Sequence, residues 1–208
     1  MHTLKKYFSQ FVRLGNRQYI QGSTLIDGCL DAVENWHLGK IRTMKCEFRA
    51  LLNEQGVYHL LDSPSKEFAK SFSAMFVVLT DKGLYQIGLN GNSDGNAPQE
   101  EYDEEGLVNA AILDRFQKTI SIFWCESQSY SRVVVALFKK MLNIMYADDN
   151  YSKWIFFQSD TDYVSLSTIE SGKLEITLKA YIANQSAKGQ ISIDGKWIGT
   201  IFFTRTLK

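Results

Sequence analysis

The sequence predicts an α+β protein of two similar halves, each a central helix wrapped by an antiparallel β-sheet, and three observations carry that expectation. Two stretches, 19–36 and 130–146, repeat apolar residues at three- and four-residue steps, the spacing of a helix with a buried face. Each is followed by short alternating apolar runs separated by turn residues, the pattern of antiparallel strands. Between the two sets, residues 91–106 read GNSDGNAPQEEYDEEG, acidic and without a basic residue, which predicts a linker. The expected organisation is therefore a half over 1–90, a linker over 91–106 and a half over 107–208.

From the N-terminus, Leu4, Phe8, Phe11, Val12 and Leu14 fit a short helix over 3–14 packed on the next elements of the chain. In the next helix Ile26, Cys29, Leu30, Val33 and Trp36 share one side, with Asp27, Asp31, Glu34 and Asn35 on the other. Ser23 is the expected N-cap, because its hydroxyl can accept from the unpaired N–H groups of the first turn. Gly28 lies inside the helix at a cost of ~1 kcal/mol relative to alanine, which points to the close approach of a backbone or a ligand. Strands are expected over 44–52, 57–61, 74–80 and 84–89, with a loop at Pro64 and a turn at Asp81-Lys82-Gly83, as an antiparallel meander.

In the second half, 112–125 is mostly extended. The helix over 130–146 is apolar nearly all round, with a polar edge of Arg132, Lys139, Lys140 and Asn143, so it must be wrapped. Strands over 154–157 and 174–182 come after it, then a turn at 186–189 and a hairpin over 191–203 folded at Asp194-Gly195. The halves repeat at the level of elements and not of letters.

Composition narrows the function classes. At 208 residues, 45% of them hydrophobic, the chain has material for a sizeable core. With 23 basic and 23 acidic residues it has no general grip on nucleic acid or an anionic membrane. Cys29, Cys46 and Cys125 are an odd number at wide spacing, which predicts free thiols and a cytoplasmic location. No apolar run reaches the ~18 residues of a membrane span, and the first residues lack a cleavage site, so neither export nor insertion is expected.

The stretch from Tyr19 to Gly28 resembles the active-site segment of the 3-hydroxyacyl-carrier-protein dehydratases of the hotdog fold, whose pattern H-F-P-G-x-P-x-x-P-G runs into that fold's central helix. Both family glycines coincide with Gly22 and Gly28. The family histidine falls on Tyr19, its prolines on Gln21, Thr24 and Asp27, and its helical acidic residue on Val33. The second half is similar to the thioesterase branch, w-x-D-x-D-x-x-G-x-V, on which Trp124, Glu126, Gln128, Ser131 and Val133 fall, so that the catalytic aspartate's place is taken by Gln128. The resemblance implies a double hotdog acting on an acyl-CoA or acyl-carrier-protein thioester in fatty-acid or polyketide-type biosynthesis, with the usual reactive groups replaced. Acyl transfer or decarboxylation, thioester hydrolysis and dehydration are the reaction types it leaves open.

On that reading Tyr19 is the catalytic candidate, a phenol able to donate to a thioester carbonyl. Gly22, Ser23 and Gly28 form the substrate-binding turn, where the helix N-terminus offers an oxyanion site. Glu126 and Gln128 are expected to reach the same cleft from the second half. No cofactor and no metal is expected, since His37 and His59 have no partners at ligand spacing. The GNSDG of 91–95 matches a nucleophile elbow, and Asn90 to Glu101 a calcium loop, without the helices that either requires. The rival reading is a non-catalytic hotdog that binds an acyl chain or scaffolds a catalytic protein. Either way the expected assembly is a homodimer or a hetero-oligomer with another hotdog subunit.

Overall fold

The computed structural model describes residues 3–62, 69–148, 151 and 153–205, and the chain divides into two compact units, Met1–Tyr102 and Asp103–Lys208. The loop expected at Pro64 lies outside the described residues.

The first unit runs β1 Thr3–Ser9, β2 Arg13–Leu14, α1 Gly22–Asn35, β3 Ile41–Phe48, β4 Glu54–Leu61, β5 Ala74–Thr80, β6 Leu84–Asn96 and β7 Gln99–Glu100. Five of these strands form an antiparallel sheet in the order β1-β4-β6-β5-β3, while β2 and β7 make a short parallel pair. Helix α1 buries Leu25, Ile26, Cys29, Ala32 and Val33, on the face that the spacing predicts. Tyr58 of β4 and Phe76 of β5 are fully buried, and Tyr58 donates to the Leu25 carbonyl at 2.6 Å.

The structure corrects three expectations for this unit. The segment 3–14 is not a helix: Thr3–Ser9 is a strand that adds to the edge of β4, with Tyr7 opposite Tyr58. Leu4 and Phe8, turned inward by the helical reading, are exposed, and Tyr7 packs instead on Trp36 with ring centroids 6.4 Å apart. A helix that short is marginal alone, and a free sheet edge offers it a full ladder of hydrogen bonds. The strands after α1 are not a simple meander either. β6 lies between β4 and β5, because residues 62–73 are long enough to cross over while Asp81 to Gly83 only permit a hairpin. Lastly, residues 91–106 are not a plain linker: β6 continues to Asn96, paired with Glu54, and Asp103 caps a helical turn.

The second unit runs α2 Glu104–Leu107, β8 Ile112–Asp114, β9 Thr119–Cys125, α3 Tyr130–Met145, β10 Ile155–Asp162, α4 Tyr163–Leu166, β11 Ser171–Ile182, β12 Ser186–Ile193 and β13 Lys196–Thr204. Its antiparallel sheet has the order β10-β13-β12-β11-β9-β8. Helix α3 buries Val133 to Phe138, Met141 and Leu142, and the Phe138 ring meets Phe203 edge-on at 5.5 Å. The turn expected at 186–189 is a strand. Asn184, at φ 57°, makes the turn, and Gly189 stays in the strand because a Cβ there would lie 2.7 Å from Ile176. The Asp194-Gly195 hairpin forms with both residues left-handed, as a type I′ turn needs. A helix against a curved antiparallel sheet, twice over, is the double-hotdog architecture.

Candidate functional site

The chain enters α1 through a strapped segment. The backbone of Phe11 is held by the Gln55 amide in both directions, donating to it at 2.6 Å and accepting from it at 3.2 Å. Arg13 and Gly15 bond to the carbonyls of Pro98 and Glu100 at 2.8 Å, and Ile20 bonds to that of Leu52 at 2.6 Å. Tyr19 therefore sits on a fixed backbone, half-buried, two residues before the helix cap. Its side chain has no hydrogen-bond or ring partner among the described residues.

The N-cap of α1 is Gln21 and not the expected Ser23, and no side chain caps the helix. Gln21 is buried, and its amide is committed elsewhere. With its oxygen turned to Arg17, that oxygen lies 2.6 to 2.8 Å from all three guanidinium nitrogens. Arg17 also donates to the Leu14 carbonyl at 3.0 Å and lies 5.8 Å from the centre of the Tyr102 ring. Ser23, in the first turn, is buried with its hydroxyl 3.3 Å from the Gln21 amide. The Thr24 hydroxyl beside it is buried without a hydrogen-bond partner among the described residues, its residue only 8% exposed. An uncapped helix N-terminus carries unpaired N–H groups and a partial positive charge, and the Thr24 hydroxyl lies in its first turn.

Gly28 owes its place to packing and not to the approach of a ligand. A Cβ there would stand 2.8 Å from the Tyr58 hydroxyl and 3.0 Å from Phe11, so the missing side chain makes room for these rings. Phe11 also packs against Gly56 of β4, where a Cβ would be 2.4 Å from the ring. Burial pushes the Tyr58 phenol well above its usual range, with Cys29, Asp27 and Asp31 adding to the effect, so it stays a neutral donor.

The second unit holds the other candidates on the turn between β9 and α3. Glu126 is exposed, its N–H bonded to the Glu170 carbonyl at 2.8 Å. Gln128 is half-buried, and its carbonyl accepts from the Trp124 indole at 3.3 Å. Here Ser129 caps α3 by accepting from the Arg132 N–H. Sequence reasoning passed over Tyr130, the first residue of α3, which stacks edge-on to Trp124 at 6.1 Å. Burial holds its phenol above the ordinary range, with the Thr161 hydroxyl working the other way. It also passed over Arg17 and Thr24. The signals available for them were an arginine two residues before a tyrosine with no carboxylate nearby, and a threonine where the dehydratase pattern has proline.

Two surface hollows, of about 240 Å³ between α2 and α3 and about 180 Å³ on the outer face of β3 and β5, hold none of the predicted site residues. Among the described residues no cluster of side chains could hold a metal ion, and no helix is long and apolar enough to cross a membrane.

No family model and no curated protein matches the chain. Solved structures do match along nearly its whole length. The tesB protein of Mycobacterium avium subspecies paratuberculosis is 9% identical, with a TM-score of 0.55 over 96% of this chain and 91% of that one. An acyl-ACP thioesterase of Bacteroides thetaiotaomicron is 9% identical, with a TM-score of 0.52 over 97% of each chain. The 12:0-ACP thioesterase of Umbellularia californica is 8% identical, with a TM-score of 0.51 over 100% and 99%. At such identities the likeness is one of fold.

Proposed function

We propose that this double-hotdog chain acts on acyl thioesters carried by CoA or an acyl carrier protein, and that the N-terminus of α1 receives the thioester carbonyl. The observation that carries the reading is the uncapped first turn, where Gln21 is held by Arg17 instead of capping the helix and the Thr24 hydroxyl has no partner among the described residues. A developing oxyanion placed there gains the helix-end charge and fixed N–H donors. Tyr19, two residues upstream and with its phenol unengaged among the described residues, is the group to donate to or protonate the substrate. The full-length match to structures named as acyl-ACP thioesterases supports the substrate class. Neither half has its resembled family's reactive histidine or aspartate, so acyl transfer or decarboxylation is preferred to hydrolysis and dehydration.

The test is intact mass spectrometry of the protein with a panel of acyl-CoA and acyl-carrier-protein thioesters, Tyr19→Phe alongside. Turnover that falls about 100-fold or more in the variant is the expected outcome for loss of a transition-state donor. An unchanged substrate pool for every thioester would sink the enzymatic reading.

One observation favours the rival, a non-catalytic acyl-binding or scaffold protein: Phe11 and Tyr58 fill the space beside Gly28 and Gly56. Retained acyl ligand without turnover in the same experiment decides for it.

A further inference from the structure

The β8–β9 hairpin of the second unit displays large apolar side chains that the thioester site does not use. Phe116 at its tip is 90% exposed, Ile112 72% and Phe123 70%. The tip is held in that posture. Asp114 accepts from the N–H groups of both Phe116 and Gln117 at 2.9 Å, and Lys118 closes the turn in the left-handed region at φ 52°. Such a turn costs conformational freedom and points an aromatic ring away from the core, which is the reverse of what stability alone selects.

Below the tip, Ile112 stands opposite Ser121 in the ladder, and Phe123 lies two residues further along the same strand, so the two are diagonal neighbours on the outer face. Ser121 between them is buried. The charge around the apolar residues is basic in excess. Arg115, Lys118 and Lys179 have no ion-pair partner among the described residues, while of the nearby acids Asp114 caps the turn and Glu175 pairs with Lys173 at 2.9 Å. Lys179 belongs to this edge because Leu178 donates to the Lys118 carbonyl at 2.9 Å.

We propose that this hairpin is the docking surface for an acidic protein that receives Phe116 in an apolar socket. On the proposed thioester function, on which this identification rests, that protein is the acyl carrier protein. Charge complementarity selects an acidic partner, and geometry selects a protein over an anionic bilayer. Phe123 lies five residues or more behind the tip, roughly 17 Å along the strand. End-on insertion to a headgroup depth of about 5–10 Å would engage Phe116 and leave Phe123 uncovered. A protein lying along the hairpin covers all three, and β8, last in its sheet, offers a backbone edge that a polypeptide can extend by strand pairing and a bilayer cannot.

The experiment measures, by fluorescence anisotropy, the binding of holo-acyl carrier protein to the full chain, to Phe116→Ala and to the double variant Arg115→Glu/Lys118→Asn. Turnover of a CoA-borne thioester is followed in parallel. All three positions are exposed, so thermal midpoints should not move. The expected result is binding to the wild type that weakens with salt and falls about 10-fold or more in each variant, with CoA-borne turnover unchanged. Equal affinity in all three proteins, no binding to the wild type, or Phe116-dependent binding to phosphatidylglycerol vesicles in place of the protein would each overturn the proposal. A wild type that binds carrier protein through Phe116 but turns over no thioester would contradict the thioester function and leave the docking surface standing.

Discussion

Helix α3 starts behind Ser129, whose hydroxyl accepts from its first turn, whereas α1 starts behind Gln21, whose amide faces Arg17 and leaves the first turn uncapped. The sheets behind them differ as well. In the second unit the last three strands run one after another as a meander, β11-β12-β13, while in the first unit β6 intervenes between β4 and β5. The two helix starts therefore differ in their caps: the Ser129 side chain meets the first turn of α3, and no side chain does so for α1.

The contrast can be broken most severely at Phe11. Its ring, 2% exposed, fills the space between Gly28 and Gly56, so Phe11→Ala should cost about 3–5 kcal/mol in denaturant unfolding. A loss under about 1 kcal/mol would mean that the first unit's core is not closed there. Gly28→Ala sets a gain in helix propensity of about 1 kcal/mol against overpacking of about 1–3 kcal/mol on Tyr58 and Phe11. The balance should be destabilising, and a stabilised variant would show that those rings can yield.

Two smaller changes sharpen the comparison of helix ends. Ser129→Ala should destabilise by about 1 kcal/mol and speed amide exchange at Arg132, because a real cap is lost. Thr24→Val should do the opposite in the free protein, stabilising by up to about 1 kcal/mol as an unsatisfied hydroxyl is removed, while weakening acyl-thioester binding. Destabilisation by that change would reveal a partner for the hydroxyl.

The smallest effect is a pH dependence. Burial, with Lys6 nearby, lowers the pKa of His59 below the usual imidazole value of 6.5. The unfolded chain then binds the proton more readily, so the stabilising contribution is complete above the unfolded pKa and is lost as pH falls through the folded one. His59→Gln should flatten the stability profile in that acidic window and leave it unchanged at higher pH.

Much of the fold was legible because its signals are local. The apolar spacing of α1 and α3, the alternation in β3 and β11, and the left-handed pair Asp194-Gly195 each specify an element without reference to the rest. What failed depended on partners distant in the chain. Leu4 and Phe8 have helical spacing, yet the edge of β4 decided in favour of a strand. The order of β5 and β6 depends on the partners they find in the sheet, β6 pairing with β4 as well as with β5, which the sequence does not show. Gly189 has the composition of a turn residue, but it is small to admit Ile176 and Phe138. At the start of α1 the resemblance singled out Tyr19, Gly22 and Gly28, of which Gly28 is small to admit Tyr58 and Phe11, and the N-cap was misplaced by two residues. Ser23 is the better capping type, but the extended backbone of Gln21, φ −65° and ψ 145°, puts the N-cap two residues earlier.

The most direct test of function is where a thioester carbonyl binds. Backbone amide shifts should be monitored by NMR while a non-hydrolysable ketone analogue of an acyl-CoA, with CH2 in place of the thioester sulfur so that the carbonyl is kept, is titrated in. The prediction is that Gly22, Ser23 and Thr24 at the start of α1 move with a common saturation curve, while Ser131 and Arg132 behind the Ser129 cap stay still. Shifts confined to the start of α3, or none at the start of α1 with the analogue bound, would contradict it.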